Sequence, residues 1–166
     1  MAAELYLIRH GVAAERGEAW PDDTKRPLTD QGVRRLRKIA AGLAEIGVTF
    51  DVMLSSPLVR ARQTADIIAA GLDPHPSVIL SDALSPGGAY SGVLDELAKH
   101  ARRHRIALVG HEPGIGALTA RLIGSRHSLE FKKGAVARVD VAALPPTGAG
   151  SLHWLLTPRL LRKLGK

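Results

Sequence analysis

The chain alternates short apolar runs rich in β-forming residues with stretches whose apolar positions recur every three or four residues, a pattern that confines it to the α/β folds. Glu4 to His10, reading Glu-Leu-Tyr-Leu-Ile-Arg-His, stops abruptly at Gly11 and is the first predicted strand. Thr29 then stands as an N-cap before a helix that carries Val33, Leu36, Ala40 and Leu43 on one face and ends at Gly47. A strand over Phe50 to Ser55 and a helix over Pro57 to Ala70 repeat the unit, proline suiting a first helical turn. Gly71 to Ser91 is rich in Pro, Gly and Ser, with only Val78 to Leu80 apolar, and reads as mainly loop. A helix over Val93 to Arg103, a strand over Ile106 to Val109 and a helix starting near Pro113 follow. Strands over Ala135 to Val141 and Ser151 to Leu156 close the series, separated by a turn at Pro145 to Gly148. The expected fold is a three-layer α/β/α sandwich with a mostly parallel sheet.

A length of 166 residues with 45% hydrophobic side chains fits a single domain over 1–166 with a sizeable core. The chain has no cysteine, which removes disulfides, thiolate metal sites and a cysteine nucleophile from consideration. No apolar run is long enough to span a membrane, and the N-terminus lacks the order of a signal peptide, so the expected compartment is the cytoplasm, with no membrane partner. The formal charge of +7 favours anionic partners. Aromatics at 4% and dispersed basic residues speak against nucleic acid and leave a phosphorylated substrate.

Ligands of such sheets bind beyond the carboxyl ends of the strands. Three predicted strand ends carry polar, chemically capable residues: Arg9-His10-Gly11, Ser55 to Arg60, and Gly110-His111-Glu112-Pro113. Arg9 and Arg60 offer forked, permanently charged donors that match phosphate oxygens, and the helix after Ser56 adds its positive end. Two histidines allow one neutral nucleophile, His10, and one protonated partner, His111, that steadies charge on the transferring phosphoryl group. Gly11 lets a phosphate approach the backbone without a Cβ in the way. Water then releases the phosphate from His10.

The same residues carry a resemblance. Leu-Ile-Arg-His-Gly at 7–11, Ser-Ser-Pro-Leu-Val-Arg-Ala-Arg-Gln-Thr at 55–64 and Val-Gly-His-Glu-Pro at 109–113 resemble the histidine phosphatase, or phosphoglycerate-mutase-like, superfamily. Asp23 to Thr29 with Gly32, Leu129 to Gly134, and Trp154 to Pro158 look like its small SixA-type phosphohistidine phosphatases. The resemblance implies that His10 is the nucleophile, that Arg9, Arg60 and His111 complete the phosphate pocket, and that Arg26 contacts phosphate or substrate. It implies a metal-independent hydrolase with no cofactor, acting on a phosphorylated protein or a small phosphorylated substrate. A non-catalytic phosphate-binding module is the alternative of a different class. Glu112, Asp22 and Asp23 are the candidates for a general acid, and a phosphohistidine substrate weakens the need for one, because imidazole leaves readily.

Two further patterns have plainer readings. His100 and His104, spaced i and i+4, lie in the cationic stretch Lys99 to Arg105 and read as a solvated helix end rather than a metal site. The tail Arg159 to Lys166 alternates basic and apolar residues and reads as a packed C-terminal helix.

Overall fold

A computed structural model describes residues 2–166. Its core is a six-stranded sheet built from β1 (Ala3–Arg9), β2 (Val52–Ser55), β3 (Ser77–Leu80), β4 (Arg105–Gly110), β5 (Val136–Val141) and β6 (Ser151–Leu156), in the order β3-β2-β4-β1-β5-β6. Strands β3, β2, β4 and β1 pair in parallel; β5 runs antiparallel to both β1 and β6, so it alone is reversed.

Alternation along each strand sorts side chains to two cores. Leu5, Leu7, Leu54 and Leu108 face the layer of α3 (Tyr90–Ala98) and α4 (Gly114–Ile123), where Val93, Leu97, Leu118 and Leu122 meet them. Tyr6, Ile8, Met53 and Val109 face the layer of α1 (Asp30–Glu45), α2 (Val59–Ala70) and α5 (Pro158–Leu164). The three-layer architecture is therefore the expected one. Thr29 caps α1 through the Gly32 amide, as its position before the apolar period predicts. Helix α5 packs on α1, with Leu161 buried, where Gly42 lets the backbones meet: a Cβ at Gly42 would lie 2.1 Å from the Leu161 carbonyl oxygen.

Three expectations need correction. Residues 77–80, read as part of a loop, form the edge strand β3, whose largely exposed side chains give no buried signature. Helix α3 starts at Tyr90 and stops at Ala98, so the cationic stretch that follows is turn rather than helix and His100 and His104 share no helical face. Pro57 lies ahead of α2, which begins at Val59 with Leu58 as its N-cap.

The connections position the site. Strands β1 and β2 lead to α1 and α2 on one face, whereas β4, which lies between them, leads to α4 on the other. A crevice opens at such a switch point, beyond the carboxyl ends of the strands. Among the described residues no helix is long and apolar enough to cross a membrane.

Candidate active site

Strand register brings the three loops to one rim. Arg9 is paired with Gly110 and Ser55 with Val109, and the ladder runs one residue further, through His10 N–H to Gly110 O at 3.0 Å and Ser56 N–H to Val109 O at 3.0 Å. His10, Ser56 and His111 therefore leave the sheet side by side. The His10 and His111 rings stand 5.1 Å apart between centroids, inclined at 56°.

A cavity of about 360 Å³ opens here, and its lining includes Arg9, His10, Arg26, Arg60, His111 and Glu112. His10, Arg26, Arg60 and His111 are all buried; Arg60 is 2% exposed. His10 Nδ1 lies 2.7 Å from the Gly11 carbonyl oxygen. A carbonyl only accepts, so Nδ1 carries the hydrogen and the lone pair is on Nε2. Burial, then the charges of His111, Arg60 and Arg9, push the His10 pKa down to about 3 against the opposing pull of the Gly11 carbonyl. The ring is neutral near pH 7, as a nucleophile requires.

His111 differs from expectation. Burial and then Arg60 push its pKa down to about 4, so in the ligand-free protein it too is neutral. Its Nε2 lies 2.8 Å from Ser56 Oγ, and its Nδ1 is buried without a partner. Arg9 Nε and Arg60 Nε are buried and unpartnered as well. Three nitrogens on the cavity's own residues thus have hydrogen-bonding capacity that the protein leaves unused.

Asp23 holds the arginines. Its carboxylate accepts from Arg26 Nε at 3.0 Å and Arg60 Nη2 at 3.0 Å, and its carbonyl accepts from Arg60 Nη1 at 2.8 Å. Partial burial opposes ionisation, but the hydrogen bond from Arg26 and the charge of Arg60 outweigh it and keep the carboxyl below the usual range. Asp22 accepts from the hydroxyl and amide of Thr24, which lowers its pKa too. Glu112 accepts from the Gly116 amide at 2.6 Å and the Phe131 amide at 3.2 Å, fastening the start of α4 to the 129–131 loop. That loop in turn gives Arg9 Nη1 its acceptor, Phe131 O, at 2.8 Å. Of the three acid candidates, only Glu112 lines the cavity, and both of its oxygens accept backbone amides.

Comparison with known proteins places the chain in a family. A model of the histidine phosphatase superfamily (branch 1) matches residues 5–85. An uncharacterised protein of Picosynechococcus is 36% identical over 165 residues, covering 95% of this chain and 98% of that one. The chain belongs to the histidine phosphatase superfamily. Phosphohistidine phosphatase SixA of Escherichia coli is 28% identical over 158 residues, covering 93% of this chain and 94% of its own length. The solved structure of the protein histidine phosphatase SixA complexed with tungstate superposes with a TM-score of 0.84 at 28% identity, covering 95% of this chain and 99% of that one.

Within this histidine phosphatase, five of the six residues singled out from the sequence line one cavity: Arg9, His10, Arg26, Arg60 and His111. Gly11 does not. Its amide donates to Thr64 Oγ1 at 3.0 Å, and a Cβ there would fall 2.6 Å from Leu36 Cδ1, in a side chain that is itself fully buried. A side chain at this position would therefore crowd α1. Thr64 completes that support by donating to Arg60 O at 2.7 Å, which ties the β1 end to the first turn of α2. Ser56, Thr64, Lys133, Arg16 and Glu15 were not singled out from the sequence. The last three line the cavity, with Glu15 and Arg16 on its exposed lip. Only the position of Ser56 and Thr64 in the 55–64 segment pointed toward them.

Proposed function

We propose that this protein is a phosphohistidine phosphatase in which His10 Nε2 takes the phosphoryl group. The observation that carries the reading is the fixed tautomer of His10, a neutral buried ring with Nδ1–H on the Gly11 carbonyl and its lone pair on Nε2. Arg9, Arg26 and Arg60 supply the cationic surroundings in which charge on the transferring phosphoryl is stabilised, and Asp23 holds two of them in place before the substrate arrives. His10 Nε2 attacks phosphorus, the P–N bond to the substrate imidazole breaks, and water protonates the departing ring. A water molecule then attacks the phosphorus on His10, releasing inorganic phosphate and neutral His10.

His111 acts as a hydrogen-bond donor. Phosphoryl oxygens accept, so the bound state selects the tautomer in which Nδ1 carries the hydrogen and Nε2 accepts from the Ser56 hydroxyl. A dianion beside the ring also favours its protonated form, against the burial that keeps it neutral in the free protein.

The choice of a phosphoramidate over a phosphoester rests on the acid candidates: Asp22, Asp23 and Glu112 are all engaged as acceptors. An alkoxide leaving group requires a proton donor, whereas imidazole leaves without one. A small-phosphoester reading therefore falls on Glu15, on the cavity's lip. Under it Glu15→Gln would abolish ester hydrolysis, whereas phosphohistidine turnover would survive that change. Among the described residues no group of three or more His, Asp or Glu is arranged to hold a metal ion.

The test is to incubate the protein with a phosphohistidine donor, quench in base and map the phosphate. Label on His10, lost in His10→Ala and unaffected by a chelator, is the expected result. Label on any other residue, or none during turnover, would overturn the mechanism.

A further inference from the structure

A second cavity, of about 330 Å³, adjoins the first and shares Pro86, His111 and Glu112 with it. Its character is different. Leu84 and Val93 on one side and Ile115 and Leu118 of α4 on the other give it largely apolar walls. Arg121 reaches its edge over the ring of Tyr90, 4.2 Å from the centroid, and takes part in none of the ion pairs among the described residues. On α4, Gly114 and Arg121 are seven residues apart, about 10 Å along the helix.

An apolar cleft that begins at a phosphate site and ends at an unpaired cation has a definite complement. The phosphoryl group and its imidazole are polar and small, and they are accommodated among the arginines. What enters the cleft must be carried by the same substrate but be apolar, with negative charge further along. A free phosphorylated histidine has no apolar side chain to offer, and its carboxylate, two carbons from the ring, is too close to the phosphoryl group to reach the far end of the cleft. A protein segment bearing phosphohistidine has both when an apolar side chain flanks the modified residue and an acidic one follows.

We propose that this cleft, between the 84–93 segment and α4, binds an apolar side chain of the phosphoprotein segment being dephosphorylated, with Arg121 pairing to an acidic residue of that segment. The inference rests on the phosphohistidine reading above and adds that the enzyme selects its protein substrates by sequence context.

Ala117 provides the test. It lines the cleft, lies on the exposed side of α4 and is absent from the lining of the phosphate cavity, so Ala117→Trp fills the cleft without touching the reacting groups. The substrates are a series of phosphohistidine peptides in which leucine is walked through four positions on either side of the modified residue, a serine-only peptide, and phosphorylated free histidine. In the parent protein the best leucine peptide is expected to have a KM lower than the serine peptide by about tenfold. Ala117→Trp should erase that difference and leave turnover of phosphorylated free histidine within about twofold. Arg121→Glu should raise KM only for peptides that also carry glutamate. Equal losses on peptides and on free phosphohistidine, or no dependence on leucine in the parent, would overturn the proposal. Absence of turnover with every substrate would instead defeat the phosphohistidine reading; binding of the same peptides to His10→Ala then reads the leucine dependence without turnover, and a flat series there overturns the cleft assignment as well.

Discussion

Ser56 Oγ lies 2.8 Å from His111 Nε2 while also accepting the Leu58 amide at 3.2 Å. The amide occupies one lone pair of the hydroxyl, whose hydrogen remains available to His111. Ser56 is thus a positioning residue, and Ser56→Ala should lower kcat/KM up to about tenfold, the worth of one net hydrogen bond. Its signature is the pH profile: without the hydroxyl that donates to Nε2 the neutral ring loses support, so the titration of His111 moves to higher pH, whereas Ser56→Thr restores it. An unchanged profile in Ser56→Ala would remove Ser56 from the mechanism.

Asp23→Asn keeps the shape and removes the charge that holds Arg26 and Arg60. Charge-assisted hydrogen bonds of this kind are worth about 1.5–3 kcal/mol, so turnover should fall about 10- to 100-fold. Because Asp23 acts through arginines, phosphohistidine and phosphoester substrates should lose activity by the same factor. A loss confined to esters would identify Asp23 as a proton donor after all.

The two histidines make the fold sensitive to mild acid. Their pKa values of about 3 and about 4 lie below the usual 6.5, so below pH 6.5 the unfolded chain binds protons that the folded one refuses. Stability should therefore fall as pH drops from 6.5 toward 4, and replacing both by glutamine should flatten that part of the curve. Melting temperatures at pH 7.5 and pH 5 measure it. Turnover, by contrast, should persist well into the acid range, since His10 stays neutral there.

Gly42→Ala places a methyl group where the Leu161 carbonyl sits. The change should cost about 1–3 kcal/mol and lower the melting temperature by several degrees, with kcat at 25 °C retained. A neutral effect would mean that α5 shifts freely on α1.

How much of this was legible beforehand depends on range. Arg9, His10, Arg60 and His111 were readable because each sits within a few residues of a predicted strand end, and strand ends of a parallel sheet converge. Arg26 was legible only through its family resemblance. What remained hidden is what each carboxylate meets. Asp23 finds Arg60, 37 positions away, and Glu112 finds Phe131, 19 away, through loop paths that no local period encodes. The edge strand β3 escaped for a related reason: with its side chains largely exposed, it carries no alternation to detect. The neutral state of His111 in the ligand-free protein was not legible, because burial outweighs the ordinary value of the group there, and burial is a property of the assembled core.

The amides of His10 and Ser56 belong to the innermost ladders of the sheet, donating to Gly110 and Val109. Their hydrogens should exchange with solvent deuterium only through global opening, as slowly as those of Leu7 and Leu54 in the strands themselves. His10 is thus carried on one of the last parts of the molecule to come apart, and whatever enters the cavity meets a rigid face rather than a loop that must first be ordered.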